Sequence, residues 1–130
     1  MKVYLSVPMI ANRALSRAEL IAKAIRDSGN EVSSPWVLGP IEHSSSTVNV
    51  FNRDKDGAEE CDILVADVTE PSIGVGMEIM AAYKSGRRII LVAKKGKATS
   101  RMLSHMDRKE TVEYDADEDV YPRLMRLLKH

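Results

Sequence analysis

The sequence predicts a three-layer α/β sandwich around a mostly parallel sheet of about five strands. Two observations carry this. Short β-branched, apolar runs alternate with segments of helical period along the chain, which implies βαβ units. The central run, Ile63 to Val68, is apolar for a full strand length, as in strands covered on both faces. Right-handed crossovers then favour a doubly wound, flavodoxin/Rossmann-like sheet, with function in the loops after strands one to four.

The elements follow in order. Lys2 to Val7 is β-prone and reads as the first strand, stopped by Pro8. From Ala14 to Ser28, residues Leu15, Ala18, Ile21, Ala22 and Ile25 fall on one helical face, with Gly29-Asn30 as the turn that ends it. Glu31 to Val37 reads as a second strand, closing on Pro35-Trp36. Leu38 to Thr47 is polar and irregular. A helix is expected from about Thr47 to Glu60, weakened by Gly57. After the central strand, a helix runs from Gly74 to about Lys84 and ends at Ser85-Gly86. Arg88 to Ala93 is a further buried strand, followed by the basic loop Lys94 to Ala98. Thr99 or Ser100 caps a short helix through Met106, and Thr111 to Tyr114 is the last strand. Asp117 to Leu128 is an amphipathic helix with acids at its start and bases at its end, as the helix dipole prefers.

At 130 residues the chain reads as a single domain, 1–130. Lysines and arginines equal acids at 19 each, so no global basic field points to nucleic acid. Cys61 is the only cysteine, which excludes an intramolecular disulfide, a CxxC redox pair and a cysteine-rich zinc site. His43, His105 and His130 lack metal-ligand spacing, so no metal or other cofactor is expected. With no apolar run of membrane-spanning length and no signal-peptide pattern, the expectation is a soluble, cytoplasmic protein without membrane or nucleic-acid partners.

The chain is organised around Cys61 to Ile79, a strand–turn–helix unit. Glu70-Pro71-Ser72 is turn chemistry, and Ser72 is placed to cap the next helix. Gly74 and Gly76 remove side chains where that helix opens, so a ligand or another backbone can approach. Glu78 follows about one turn in, near the strand end where ligands of open α/β sheets bind.

The run Asp62-Ile-Leu-Val-Ala-Asp-Val-Thr-Glu-Pro-Ser72-Ile-Gly74-Val-Gly76-Met-Glu78, followed by Gly86-Arg-Arg-Ile-Ile-Leu, resembles the signature of the nucleoside 2-deoxyribosyltransferase superfamily. It is most similar to the branch of 2'-deoxynucleoside 5'-phosphate N-hydrolases, in register from Lys2 to about Met102. The resemblance implies a catalytic set of Glu78, the nucleophile toward the anomeric carbon; Asp54, assisting the leaving base and the sugar; and Tyr4, on the first strand. It implies a substrate-binding set of Ser6, Met9, Ile10, Asn12, Arg13, Trp36, Ser72, Gly74, Ser100 and Met102. Ser72 and Gly74 match a phosphate-contacting turn. Ser100 matches a serine that reaches the phosphate in a neighbouring subunit's site, which implies a homodimer. The hydrolases carry a Gly-Ser-Ile-Arg type loop after the first strand. Here the aligned residues are Val7-Pro8-Met9-Ile10, leaving Arg13 as the nearby charge and the phosphate-binding mode open.

The chemistry is coherent in its own right. N-glycosidic cleavage builds positive charge on the sugar, which one carboxylate stabilises or captures while a second acid helps the base leave. Water or a second base can then release a covalent intermediate. Plainer readings stand beside each site. Glu78 can be a solvated helix residue, Asp54 part of the Arg53–Asp56 surface charge cluster, and Tyr4 or Trp36 core. Ser100 can be a simple helix cap. The function expected is hydrolysis of (2'-deoxy)nucleoside 5'-monophosphates to free base and sugar phosphate. A nucleoside 2-deoxyribosyltransferase and a non-catalytic nucleotide-binding module are the alternatives.

Overall fold

Every strand expected from an apolar run is present in the computed structural model, which describes residues 1–11, 13–42 and 47–129. The strands are β1 (Lys2–Ser6), β2 (Glu31–Val32), β3 (Ile63–Asp67), β4 (Arg88–Lys94) and β5 (Lys109–Tyr114). The helices are α1 (Leu15–Asp27), α2 (Val50–Glu60), α3 (Ile73–Lys84), α4 (Arg101–His105) and α5 (Val120–Leu128). Among the described residues all strand pairs are parallel, in the order β2-β1-β3-β4-β5. Val3 lies opposite Ile63, Ile63 opposite Arg88, and Ile89 opposite Lys109. The order reverses between β1 and β3, the switch point at whose carboxyl edge such sheets bind ligands.

The period of two along β1 divides the core. Val3, Leu5 and Val7 pack with Ile63 and Val65 against α1 and α5. Tyr4 packs with Leu64, Ala66, Val75 and Ile79 on the face covered by α2 and α3. β3 is buried at every position, which explains why its sequence is apolar rather than alternating.

Two expectations are corrected. The second strand is only two residues long rather than running to Val37. Ser34 ends it. Its fully buried hydroxyl accepts from the Leu5 amide at 2.8 Å and donates to the Leu5 carbonyl at 2.9 Å. That side chain takes over the bonds a ladder partner would make. Pro35 then opens a 3₁₀ turn, Pro35–Leu38, at a position where its missing N–H costs nothing. The helix expected from Thr47 begins instead at Val50, because Asn49 caps it by accepting from the Asn52 amide at 3.0 Å.

A buried polar tie fixes the far end of β3. Asp67 accepts from Arg17 Nε at 2.8 Å and from the Thr69 amide at 3.1 Å. Arg17 also reaches Asp117 at 3.2 Å, and the Thr69 and Tyr114 hydroxyls pair at 2.7 Å. The tie joins α1, β3 and β5 just ahead of the turn into α3. No helix among the described residues is long and apolar enough to cross a membrane.

Candidate active site

Glu78 lies on the second turn of α3, and Ser72 caps that helix by accepting from the Val75 amide at 3.3 Å. The helix lies across β1, and β1 presents two hydroxyls to the glutamate. Tyr4 and Ser6 are two residues apart, so they share a face. The Tyr4 hydroxyl donates to Glu78 Oε2, and the Ser6 hydroxyl donates to Oε1 at 2.8 Å. Neither Tyr4 nor Ser6 has any exposed surface. The carboxylate therefore meets the interior of the sheet, although Glu78 as a residue is only partly buried.

Burial pushes the Glu78 carboxyl up from its ordinary 4.5 to about 7. The Tyr4 and Ser6 hydrogen bonds oppose that rise by favouring the ionised form. The Asp54 charge adds to it, and the Arg53 charge opposes it. The Tyr4 phenol is held far above its usual range by burial first and by the neighbouring Glu78 charge second.

Helix α2 brings the second carboxylate. Asp54 is one quarter exposed and accepts from Arg53 Nε at 2.9 Å. Arg53 also pairs with Glu42 and lies 4.3 Å over the Trp36 ring. Trp36 meets the Tyr4 ring edge-on, with centroids 6.2 Å apart. Glu78, Tyr4, Ser6, Asp54, Arg53 and Trp36 thus form one linked cluster. Trp36 Nε1 is buried there without a partner among the described residues.

Gly57 explains how α2 comes so close. A Cβ at this position would sit 2.7 Å from Tyr4 Cε2, nearer than side-chain carbons approach. The glycine that weakens α2 makes room for the Tyr4 ring. Gly57 and Arg53 were not singled out as site residues from the sequence. The one available signal was a glycine interrupting an otherwise good helix one turn after Asp54.

The other expected residues are placed elsewhere. Arg13 Nη2 donates to the carbonyls of Val37, at 3.1 Å, and Gly39, so that end of the guanidinium is anchored to backbone. Met9 packs against the α1 side of the core, and Ile10 is 88% exposed. Asn12 lies outside the described residues, as do His43 and His130. Among the described residues, nothing beyond the chain neighbours and the helix's own backbone lies within 4 Å of a Cβ placed on Gly74 or Gly76, so internal packing does not require these glycines.

Ser100 caps α4 by accepting from the Met102 amide at 3.2 Å. Together with Met102 and Ser72 it lines a groove of about 1310 Å³ between α3 and the segment before β5. The exposed side chains of Ile73, Met77, Met80 and Met102 make this groove apolar. Glu78, Tyr4 and Asp54 do not line it, so within one chain Ser100 and Met102 stand apart from the carboxylate cluster. Among the described residues, no three His, Cys, Asp or Glu side chains are grouped to hold a metal ion. Cys61 is buried, and burial pushes its thiol up to about 11, which leaves it unreactive.

No family model matches the chain. The chain is 37% identical over 97 residues to a Thermofilum pendens protein provisionally named 2'-deoxynucleoside 5'-phosphate N-hydrolase 1, covering 72% of this chain and 68% of that protein. It is 35% identical over 83 residues to the 5-hydroxymethyl-dUMP N-hydrolase of Branchiostoma floridae, covering 61% and 78%. In three dimensions it is similar to the Clostridium botulinum CMP N-glycosidase, with a TM-score of 0.71 at 22% identity over 95% of this chain and 98% of that one, a likeness of fold. The α/β fold expected from sequence is thus the fold found, and by its sequence relatives the chain belongs to the 2'-deoxynucleoside 5'-phosphate N-hydrolase family of enzymes.

Proposed function

We propose that the protein hydrolyses the N-glycosidic bond of 2'-deoxynucleoside 5'-monophosphates, with Glu78 as nucleophile. The observation that carries this is the carboxylate itself: partly buried, held at both oxygens by Tyr4 and Ser6, and adjoined by a second carboxylate, Asp54, at the switch point of the sheet. One Glu78 oxygen bonds to the anomeric carbon as the carbon–nitrogen bond breaks. The bonding pair leaves with the base nitrogen, which takes a proton delivered by Asp54. Water then attacks the anomeric carbon, frees Glu78 and returns a proton to Asp54. Tyr4 orients Glu78, and Trp36 walls the base side.

Phosphate is assigned to the start of α3. Ser72, Gly74 and free backbone N–H groups at a helix N-terminus favour an anion. The N–H donors of Arg13 are partly spent on the Val37 and Gly39 carbonyls, which makes Arg13 the weaker phosphate candidate. A second copy of the chain covers the groove beside α3 and brings its Ser100 to the neighbour's phosphate. The exposed Ile73, Met77, Met80 and Met102 support this homodimer. With a nucleotide substrate, the cytoplasm is the expected compartment.

The test is base release, followed by chromatography, from each deoxynucleoside monophosphate and each deoxynucleoside, with and without a free acceptor base. Release from monophosphates in water that disappears in Glu78→Gln supports the hydrolase. Turnover only with an acceptor base replaces it with the transferase. Saturable binding without turnover replaces it with a binding module.

A further inference from the structure

Ser6 is fully buried, so it has no surface with which to meet a substrate. The hydrogen bond the structure gives its hydroxyl goes to Glu78 Oε1, at 2.8 Å. Tyr4, two residues earlier on β1, takes the other oxygen. Each carboxylate oxygen therefore has its own donor from one rigid strand. This spacing is a direct product of the strand period, since only residues i and i+2 face α3 together.

We infer that Ser6 is a positioning residue for Glu78 and not a substrate contact. With a donor on each oxygen, the carboxylate plane cannot rotate about its terminal torsion, a broad and otherwise soft degree of freedom. The lone pairs left free are then aimed at one place. A donated hydrogen bond also favours the ionised form, the form that can attack carbon. Among the described residues, the groups that act on Glu78 are Tyr4 and Ser6 from β1 and Asp54 and Arg53 from α2. Asp54 and Arg53 act in opposite directions on its charge, so the two β1 hydroxyls are its dedicated stabilisers. The inference deepens the proposed reaction and rests on Glu78 being its nucleophile.

Ser6→Ala removes one oxygen from a strand interior and leaves the backbone ladder intact. The first readout does not use activity: the Glu78 carboxyl is titrated by ¹³C NMR in wild type and Ser6→Ala. Its midpoint is expected to move up by about one pH unit, as for loss of one charge-assisted hydrogen bond. The acid limb of kcat/KM moves with it. At neutral pH, kcat falls by about tenfold while KM for the monophosphate changes by less than about twofold. Ser6→Cys, which keeps a weak donor, is expected to lie between the two. An unmoved Glu78 midpoint overturns the inference. So does a raised KM with kcat intact, which would make Ser6 a substrate contact. A lowered melting temperature with an unmoved midpoint and unchanged kcat also overturns it, leaving Ser6 a packing residue. The parent reading fails separately, through a fully active Glu78→Gln, and in that case a moved midpoint still establishes the clamp.

Discussion

A carboxylate kept in the interior of a sheet has a cost that depends on pH, and Glu78 makes that cost measurable. Its folded carboxyl titrates near 7, against an ordinary value of 4.5. The folded state therefore holds this proton more tightly than the unfolded chain does. Below about pH 4.5 both states are protonated and the site imposes no penalty. Between 4.5 and 7 the unfolded chain loses its proton while the folded one retains it, so stability falls as pH rises. Above 7 the whole difference has been lost. At 1.36 kcal/mol per pH unit this amounts to about 3 kcal/mol, a large share of the stability of a domain this size. Glu78→Gln keeps the shape and has no charge to bury. Urea unfolding of both proteins from pH 4.5 to 8.5 checks the argument. Relative to wild type, the variant is expected to gain about 3 kcal/mol across that window and to be the more stable protein at pH 8, although inactive. Parallel stability curves would refute the reasoning, because they would mean that Glu78 titrates alike in the folded and unfolded states.

Other outcomes follow from the same geometry. Activity carried by an ionised Glu78 is expected to rise through a limb near pH 7 in kcat/KM, and Tyr4→Phe is expected to move that limb upward and cut kcat by about tenfold or more. Gly57→Ala favours helix α2 by about 1 kcal/mol but sets a methyl 2.7 Å from the Tyr4 ring, so activity is expected to fall by more than about tenfold while circular dichroism shows the helix retained. Arg17→Ala strands the Asp67 carboxylate in the interior, and thermal unfolding is expected to show a loss of about 3 kcal/mol at neutral pH. Met77→Glu places a charge in the apolar groove beside α3. If the proposed homodimer forms through this groove, sedimentation is expected to show a monomer, with KM for the monophosphate raised by loss of the proposed Ser100 contact.

The sheet was legible because its evidence is local. Apolar runs the length of a strand, turn residues between them and helical periods are each set within about ten residues, and β3, α3, β4 and α5 lie within a residue or a few of their expected bounds. Glu78, Ser72 and Gly74 are candidate site residues that come from one continuous motif. The second strand failed because its end depends on a long-range bond: Ser34 reaches the Leu5 backbone, twenty-nine residues away, and spacing cannot show that. The same limit applies around the carboxylate. In the sequence, Ser6 is one more strand residue, Arg53 one of a run of charges, and Gly57 a flaw in a helix. Only packing α2 and α3 on one face of β1 makes them a clamp, a counter-charge and a space for a ring. Sequence alone determined β1, β3, β4 and β5, the order of the helices and the candidate carboxylate, because periodicity and turn chemistry are local. Tertiary structure decided what holds that carboxylate and how strongly burial shifts its proton, because hydrogen bonding and desolvation depend on neighbours brought together from 72 and 74 residues away in the chain.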